Sequence, residues 1–165
     1  MNAVALTLGG LLGAAALLGS GKASASLITN NQPDKGAGML PNRWQPPEAA
    51  QPYIAEITKA ERTHGLPRDL LARLLYQESR YRADIITGKT VSSANAQGIA
   101  QIVPRWHPNV DPLNPVESIH YAARYLRKLY DQFGSWRLAL AAYNWGPGNV
   151  SKYASRWDVW PTETK

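Results

Sequence analysis

The sequence predicts a mainly α fold: one helical domain preceded by a hydrophobic N-terminal segment and a linker. Three observations carry that prediction. Apolar residues recur at helical spacing in at least four segments between residues 52 and 153. Several of those segments open on Pro, Asn or Ser and close on Gly, the residues that start and stop helices. No convincing pair of strands and no internal repeat is present. With 165 residues and 44% hydrophobic composition, the chain suits one packed domain plus extensions.

Residues 1–25 form the hydrophobic segment. From Ala3 to Leu18 it is Ala, Leu, Val and Gly with one Thr and no charge, and Ala23-Ser24-Ala25 offers a small-x-small cleavage site. A secretory signal peptide fits, although Met1-Asn2 supplies no basic residue before the apolar run. A membrane helix is the rival, because Ala3 to Gly21 approaches the roughly 20 residues needed to span a bilayer, and a buried soluble helix is the plain alternative to these two leading readings. Gly9 and Gly13 add a weak helix-packing pair. Either reading places the domain at or beyond a membrane, with residues 3–21 as the part that meets a membrane or envelope assembly. Residues 26–51 read as a linker or arm, with Asn30-Asn31, Gly36-Ala37-Gly38 and Pro46-Pro47 and few apolar anchors.

Residues 52–165 are the expected domain. Pro52 suits a first helical position, Ile54, Ile57 and Ala60 follow at helical spacing, and Gly65 closes the helix. A second helix, roughly 68–80, carries Leu70, Leu71, Leu74 and Leu75. Residues 84–97 show no sustained period and read as an irregular segment, either strand-like or a loop bordering a site; Gly98 to Val103 is a short apolar piece stopped by Pro104. Residues 105–113 make another loop.

The clearest helix follows. Asn114 is its N-cap, Pro115 its first residue and Glu117 the reciprocal partner of a capping box. Its buried stripe runs from Ile119 through Ala122, Ala123, Leu126, Leu129 and Tyr130 to Phe133, and Gly134 ends it. Ser135 is the expected cap of the next helix, whose Leu138 to Ala142 run is apolar on nearly every side and therefore predicts a central, buried element. That helix ends in Tyr143-Asn144-Trp145-Gly146-Pro147-Gly148. Val150 and Tyr153 predict one more short helix.

Composition narrows the function classes. The net charge of +6 is scattered rather than massed, which suits anionic partners but not a nucleic-acid block; no nucleic acid is expected. Six Trp and eight Tyr offer flat platforms for sugar rings as well as core. There is no Cys, and His64, His107 and His120 lack metal-ligand spacing, so neither a metal nor another cofactor is assigned.

Glu78 is the focus. It lies four residues beyond Leu74 and three beyond Leu75, on the helix face that those leucines bury. A carboxyl group placed there loses water, its pKa rises, and it keeps a proton near neutral pH, as a general acid must. A helix-end Glu reaching solvent is the plain alternative.

Three polar features stand at the edges of apolar elements: Glu78-Ser79, Gly98-Ile99-Ala100-Gln101, and Ala142-Tyr143-Asn144-Trp145-Gly146-Pro147-Gly148. In this order within a helical domain they resemble the signature blocks of the soluble-type lytic transglycosylases, members of the lysozyme-like superfamily related to goose-type lysozyme. The resemblance covers about residues 52–164 and extends to His64-Gly65-Leu66-Pro67 and to the stretch from Tyr125 to Gly134. It implies a lysozyme-like fold and a peptidoglycan substrate. Glu78 would be the sole acid/base, Gln101 would bond the glycan near the scissile linkage, and Tyr143 would orient or polarise Glu78. Asn144 would shape the turn and contact substrate. Ser79 and Ser92 would bind substrate or satisfy backbone. Gly146, Pro147 and Gly148 would set the turn.

The sequence also departs from the family pattern. After the Glu-Ser pair Tyr81 fits, but Arg82-Ala83 do not; Ala100 stands where a larger Met or Leu is usual; and the chain stops at Lys165 within what resembles the start of a closing segment. Two rival functions stay open. One is a hydrolase of the same fold, which would need a second carboxylate such as Asp84. The other is a non-catalytic wall-binding or assembly module. The expected setting is the periplasm or envelope, in wall turnover, a secretion system or a phage particle.

Overall fold

Helix boundaries fall close to the punctuation in the sequence. The computed structural model describes residues 44–164; the segment 1–25, residues 3–21 within it, and the linker as far as residue 43 lie outside the described residues. Trp44 to Ala50, inside the expected arm, already pack on the domain: the Trp44 ring meets Tyr76 at 6.2 Å and Ala50 is fully buried.

Helix α1 spans Gln51–His64 with Ala50 as its N-cap, so Pro52 sits within the first turn and Gly65, at φ 65°, turns the chain out. Helix α2 spans Leu70–Ser79. Its start is capped from α1: the buried Glu61 carboxylate accepts the N–H groups of Asp69 at 3.1 Å, Leu71 at 2.9 Å and Ala72 at 3.4 Å. Those N–H groups have no partner within their own helix, and a carboxylate also complements the positive end of the helix dipole.

The stretch 84–97 begins more regularly than its sequence suggests. A single helical turn, α3 (Ala83–Ile86), buries Ile85 and Ile86 before the chain becomes irregular. Gln97 and Ile102 then exchange two backbone hydrogen bonds of 3.0 Å around a tight turn. Gly98 is required here: at φ 72° a Cβ would lie 1.7 Å from the Pro112 carbonyl oxygen, so the 104–114 loop rests directly on this backbone.

Helix α4 spans Pro115–Phe133, with the Asn114 side chain accepting from the N–H groups of Val116 and Glu117. The reciprocal half of the capping box does not form. Asn114 N–H is already given to the Asp111 carbonyl, and Glu117 instead accepts from Asp111 N–H at 3.0 Å. Ile119, Ala122, Ala123, Leu126 and Leu129 are buried as expected, while Tyr130 and Phe133 are half-buried. Helix α5 (Trp136–Trp145) packs on α4, and α6 (Pro147–Tyr153) packs on α5. Ser135 stands at the start of α5, but its side chain makes no capping bond. Nor is α5 enclosed on nearly every side. Ala139, Ala141, Ala142 and Tyr143 face the core, whereas Leu138 and Leu140 stay half-exposed because α4 and α6 leave part of the helix uncovered. The described residues contain no strand beyond the Gln97–Ile102 bridge, and among them no helix is long and apolar enough to cross a membrane.

Candidate active site

Three separate stretches carry the candidate site, and Tyr143 links them. Helix α2 puts Leu71, Leu74 and Leu75 into the core, and one turn later the same face presents Glu78, only 4% exposed. Arg80 at φ 53° and Tyr81 at φ 55° end the helix just beyond it. Tyr81 folds back so that its hydroxyl donates to the Ala72 carbonyl at 2.7 Å, locking that exit. Among the described residues no hydrogen bond reaches the Glu78 carboxyl. Burial alone raises its pKa well above the ordinary carboxylate value. The solvent-reaching alternative does not describe this side chain.

The second stretch is the turn after Gly98. Ile99, Ala100 and Ile102 are fully buried, and Gln101 at φ 48° is 1% exposed. Its amide nitrogen donates to the Gly98 carbonyl at 3.0 Å, while its Oε1 is buried without a partner. A buried amide oxygen left without a donor costs free energy, on the order of 1–3 kcal/mol. A ligand donor would relieve that cost.

The third stretch is the end of α5. Tyr143 is 1% exposed, and its hydroxyl donates to the Ala100 carbonyl at 3.0 Å, tying α5 to the residue beside Gln101. Burial, and after it the negative charge of Glu78, hold its pKa well above the usual phenol value. The tyrosine and the carboxyl group therefore sense each other electrostatically, while the hydroxyl proton is directed to Ala100 rather than to Glu78.

The remaining sequence-nominated residues have other commitments. Ser79 Oγ donates to the Leu75 carbonyl at 3.0 Å and accepts Tyr81 N–H at 3.2 Å, in full burial. Ser92 Oγ accepts Ala96 N–H at 2.9 Å and shapes the irregular loop. For both serines the structure shows a backbone role. Asn144, next to Tyr143, is half-buried and accepts from the Thr164 hydroxyl at 2.7 Å. Asp84 is held by Arg82, with contacts of 3.1 and 2.6 Å, and by the Thr90 hydroxyl at 2.8 Å. The Arg82 hydrogen bonds, then that of Thr90, keep its pKa below the usual value. Glu78 and Asp84 are thus driven in opposite directions, one toward holding a proton and the other toward staying ionised. No group of three or more His, Asp or Glu among the described residues could hold a metal ion.

Sequence reasoning passed over two contributors. Glu61 caps α2 from eight to eleven residues away, a spacing that matches no local capping motif. His107 is hydrogen-bonded to Tyr121 of α4, a contact that a lone His in a proline-rich loop does not announce.

Residues 55–158 match the family model of the transglycosylase SLT domain. Among solved structures, the chain is similar to the X-ray structure of the lytic transglycosylase Slt from Pseudomonas aeruginosa, described as an inactive glutamate-to-glutamine mutant. The sequences are 28% identical, with a TM-score of 0.54; the match covers 68% of this chain and 20% of that one. This chain thus corresponds to about a fifth of that larger protein.

Proposed function

The chain belongs to the transglycosylase SLT domain family, and from that premise we propose that it is a peptidoglycan lytic transglycosylase. In this reading it cleaves the β-1,4 bond between MurNAc and GlcNAc and leaves a 1,6-anhydroMurNAc end. The observation that carries the reading is the buried Glu78 carboxyl, unpaired and raised in pKa, within electrostatic reach of Tyr143, whose hydroxyl holds the Ala100 carbonyl next to Gln101.

The chemistry needs one carboxyl group used twice. Protonated Glu78 gives its proton to the glycosidic oxygen as the C1–O bond breaks, and the GlcNAc alcohol departs. The substrate's own N-acetyl group stabilises the positive charge left at C1 of MurNAc. Glu78, now a carboxylate, takes the proton of the C6 hydroxyl while that oxygen bonds to C1. The ring closes without water and Glu78 regains its starting form. A group that gives and then takes a proton works best with a pKa near the working pH, which is the direction in which burial moves Glu78. Gln101 Oε1, buried and unpartnered, supplies an acceptor for a glycan N–H or O–H. Asn144, half-buried beside Tyr143, is left to contact substrate, while Ser79 at the end of α2 and Ser92 in the irregular loop hold backbone rather than take part in proton transfer.

A water-using hydrolase would enlist a second carboxylate. Asp84, the candidate for that role, already has both oxygens bonded to Arg82 or Thr90. The proposed setting is the periplasm or envelope, reached through the hydrophobic residues 3–21. The test is turbidity of purified peptidoglycan sacculi. The parent chain clears the suspension, and Glu78→Gln, which preserves shape but cannot give up a proton, leaves it turbid. Equal clearing by both would remove Glu78 from the mechanism.

A further inference from the structure

One buried titratable side chain outside the site is joined to it by an unbroken run of rings. His107, in the loop between the Gly98 turn and α4, is 9% exposed. Its Nδ1 and the Tyr121 hydroxyl share a hydrogen bond, the one side-chain hydrogen bond that ties residues 104–110 to α4 among the described residues. The imidazole meets Tyr121 edge-on at 5.3 Å and Tyr125 edge-on at 5.2 Å. Tyr125 lies 5.8 Å from Tyr143, whose hydroxyl holds the Ala100 carbonyl beside Gln101.

Resting on the reading that Glu78 is the acid/base, we propose that neutral His107 is a positioning residue for glycan cleavage: it braces Tyr125 and Tyr143, and through them the Ala100–Gln101 turn. The bond to Tyr121 fixes the imidazole, and the two edge-on contacts fix the tyrosine rings against it. A looser Tyr143 would release the Ala100 carbonyl and let the Gln101 amide drift from its station.

The neutral state is essential to the brace. An imidazolium carries two N–H donors, but His107 Nε2 is buried with no hydrogen-bond partner. The groups facing the ring are the Tyr121 and Tyr125 phenols of α4, with the Arg124 guanidinium 5.3 Å over the Tyr121 ring; Tyr143 and Glu78 lie beyond Tyr125. Nothing in that inner ring of contacts offers a negative charge, and burial lowers the His107 pKa below its ordinary value. With the folded pKa depressed, the unfolded chain takes the proton first. Net stability therefore begins to fall as pH drops through the ordinary imidazole range, while the brace itself, the neutral ring of the folded chain, persists through that range and is lost only as pH falls through the lower folded value.

The experiment measures kcat and KM against pH on peptidoglycan strands for the full chain and for His107→Ala, His107→Asn, Tyr121→Phe and the His107→Ala/Tyr121→Phe double variant. It adds the ¹⁵N shifts of the parent imidazoles. His107→Ala is expected to lower kcat about tenfold with KM nearly unchanged, because the loss falls on the transition state. His107→Asn, whose amide reaches the Tyr121 hydroxyl, recovers most of that loss and removes the acid-side inflection that His107 titration gives the parent. The double variant is no worse than the poorer single one, as expected of two residues acting through one contact. The His107 imidazole reads as neutral at pH values where an exposed histidine is already charged. Parent-like kcat in His107→Ala with only a lower melting temperature would overturn the inference, as would a folded His107→Asn no better than Ala, or an imidazole that charges in the ordinary range. If His107→Ala does not fold, His107→Asn and Tyr121→Phe carry the same comparison. An inactive parent would instead overturn the functional reading, and the positioning role with it.

Discussion

Between the ordinary carboxylate pKa and the raised value that burial imposes on Glu78, the folded chain holds a proton that the unfolded chain has released. In that window the folded state binds more protons, so stability falls as pH rises, at about 1.4 kcal/mol for each pH unit fully inside it. Glu78→Gln removes this cost. Thermal melts of the parent and Glu78→Gln should nearly coincide at about pH 4, and the variant should become progressively more stable toward neutral pH. Identical melting temperatures across the range would mean that Glu78 is not held in a desolvated site. A gain in stability paired with a loss of activity is the pattern of a residue kept for chemistry rather than for folding. This residue was legible because position and chemistry coincided: four leucines fixed the buried face of α2, and Glu78 fell on it. Ser79, although its neighbour, points its hydroxyl back to Leu75 and Tyr81, and no local pattern says which way a buried serine will turn.

Helices α2 and α4 show why some caps can be read from sequence and others cannot. At α4 the cap is local: Asn114 bonds N–H groups two and three residues ahead, and Pro115 needs no partner of its own. At α2 the cap comes from another helix, with Glu61 collecting three N–H groups across the Gly65-Leu66-Pro67 turn. That contact exists only after α1 and α2 have packed. Glu61→Ala leaves buried N–H donors without acceptors and should cost about 2–3 kcal/mol in urea unfolding, against about 1 kcal/mol for Asn114→Ala, whose N–H groups are reached by water. Equal costs would mean that water replaces the Glu61 carboxylate freely. Glu117 and Ser135 carry the converse lesson. Each stands at a capping position, yet the Asn114 N–H was already taken by Asp111 and the Ser135 side chain makes no capping bond. Residue type nominates a cap; competition among neighbours decides it.

Across the whole domain, the site is assembled from parts far apart in the chain. Helix α2 supplies Glu78, the Gly98 turn supplies Gln101, and α5 supplies Tyr143, whose hydroxyl reaches back 43 residues to Ala100. Helix α4 packs against both α1 and α5 and so sets the distance between the two halves, aided by a 2.6 Å contact between His120 of α4 and Glu56 of α1. The helical architecture was readable because periodicity is a property of each element alone. The three short motifs were nominated through their resemblance to a family, and the structure links the third to the other two through Tyr143. The routes between them were not readable. The Tyr143–Ala100 bond, the loop 104–114 resting on Gly98, and the aromatic run through His107 depend on tertiary approach, and no spacing in the sequence encodes it.

The central claim is that a lone Glu78 breaks the glycan and closes the ring without water, and the end group of the product tests it most directly. Sacculi digested to completion with the parent chain and resolved by mass spectrometry should yield muropeptides ending in 1,6-anhydroMurNAc, lighter by one water than hydrolysis products and resistant to borohydride reduction. Glu78→Gln should yield none. Products that carry a reducible MurNAc end would contradict the account, and would show that a water molecule rather than the C6 hydroxyl attacks C1.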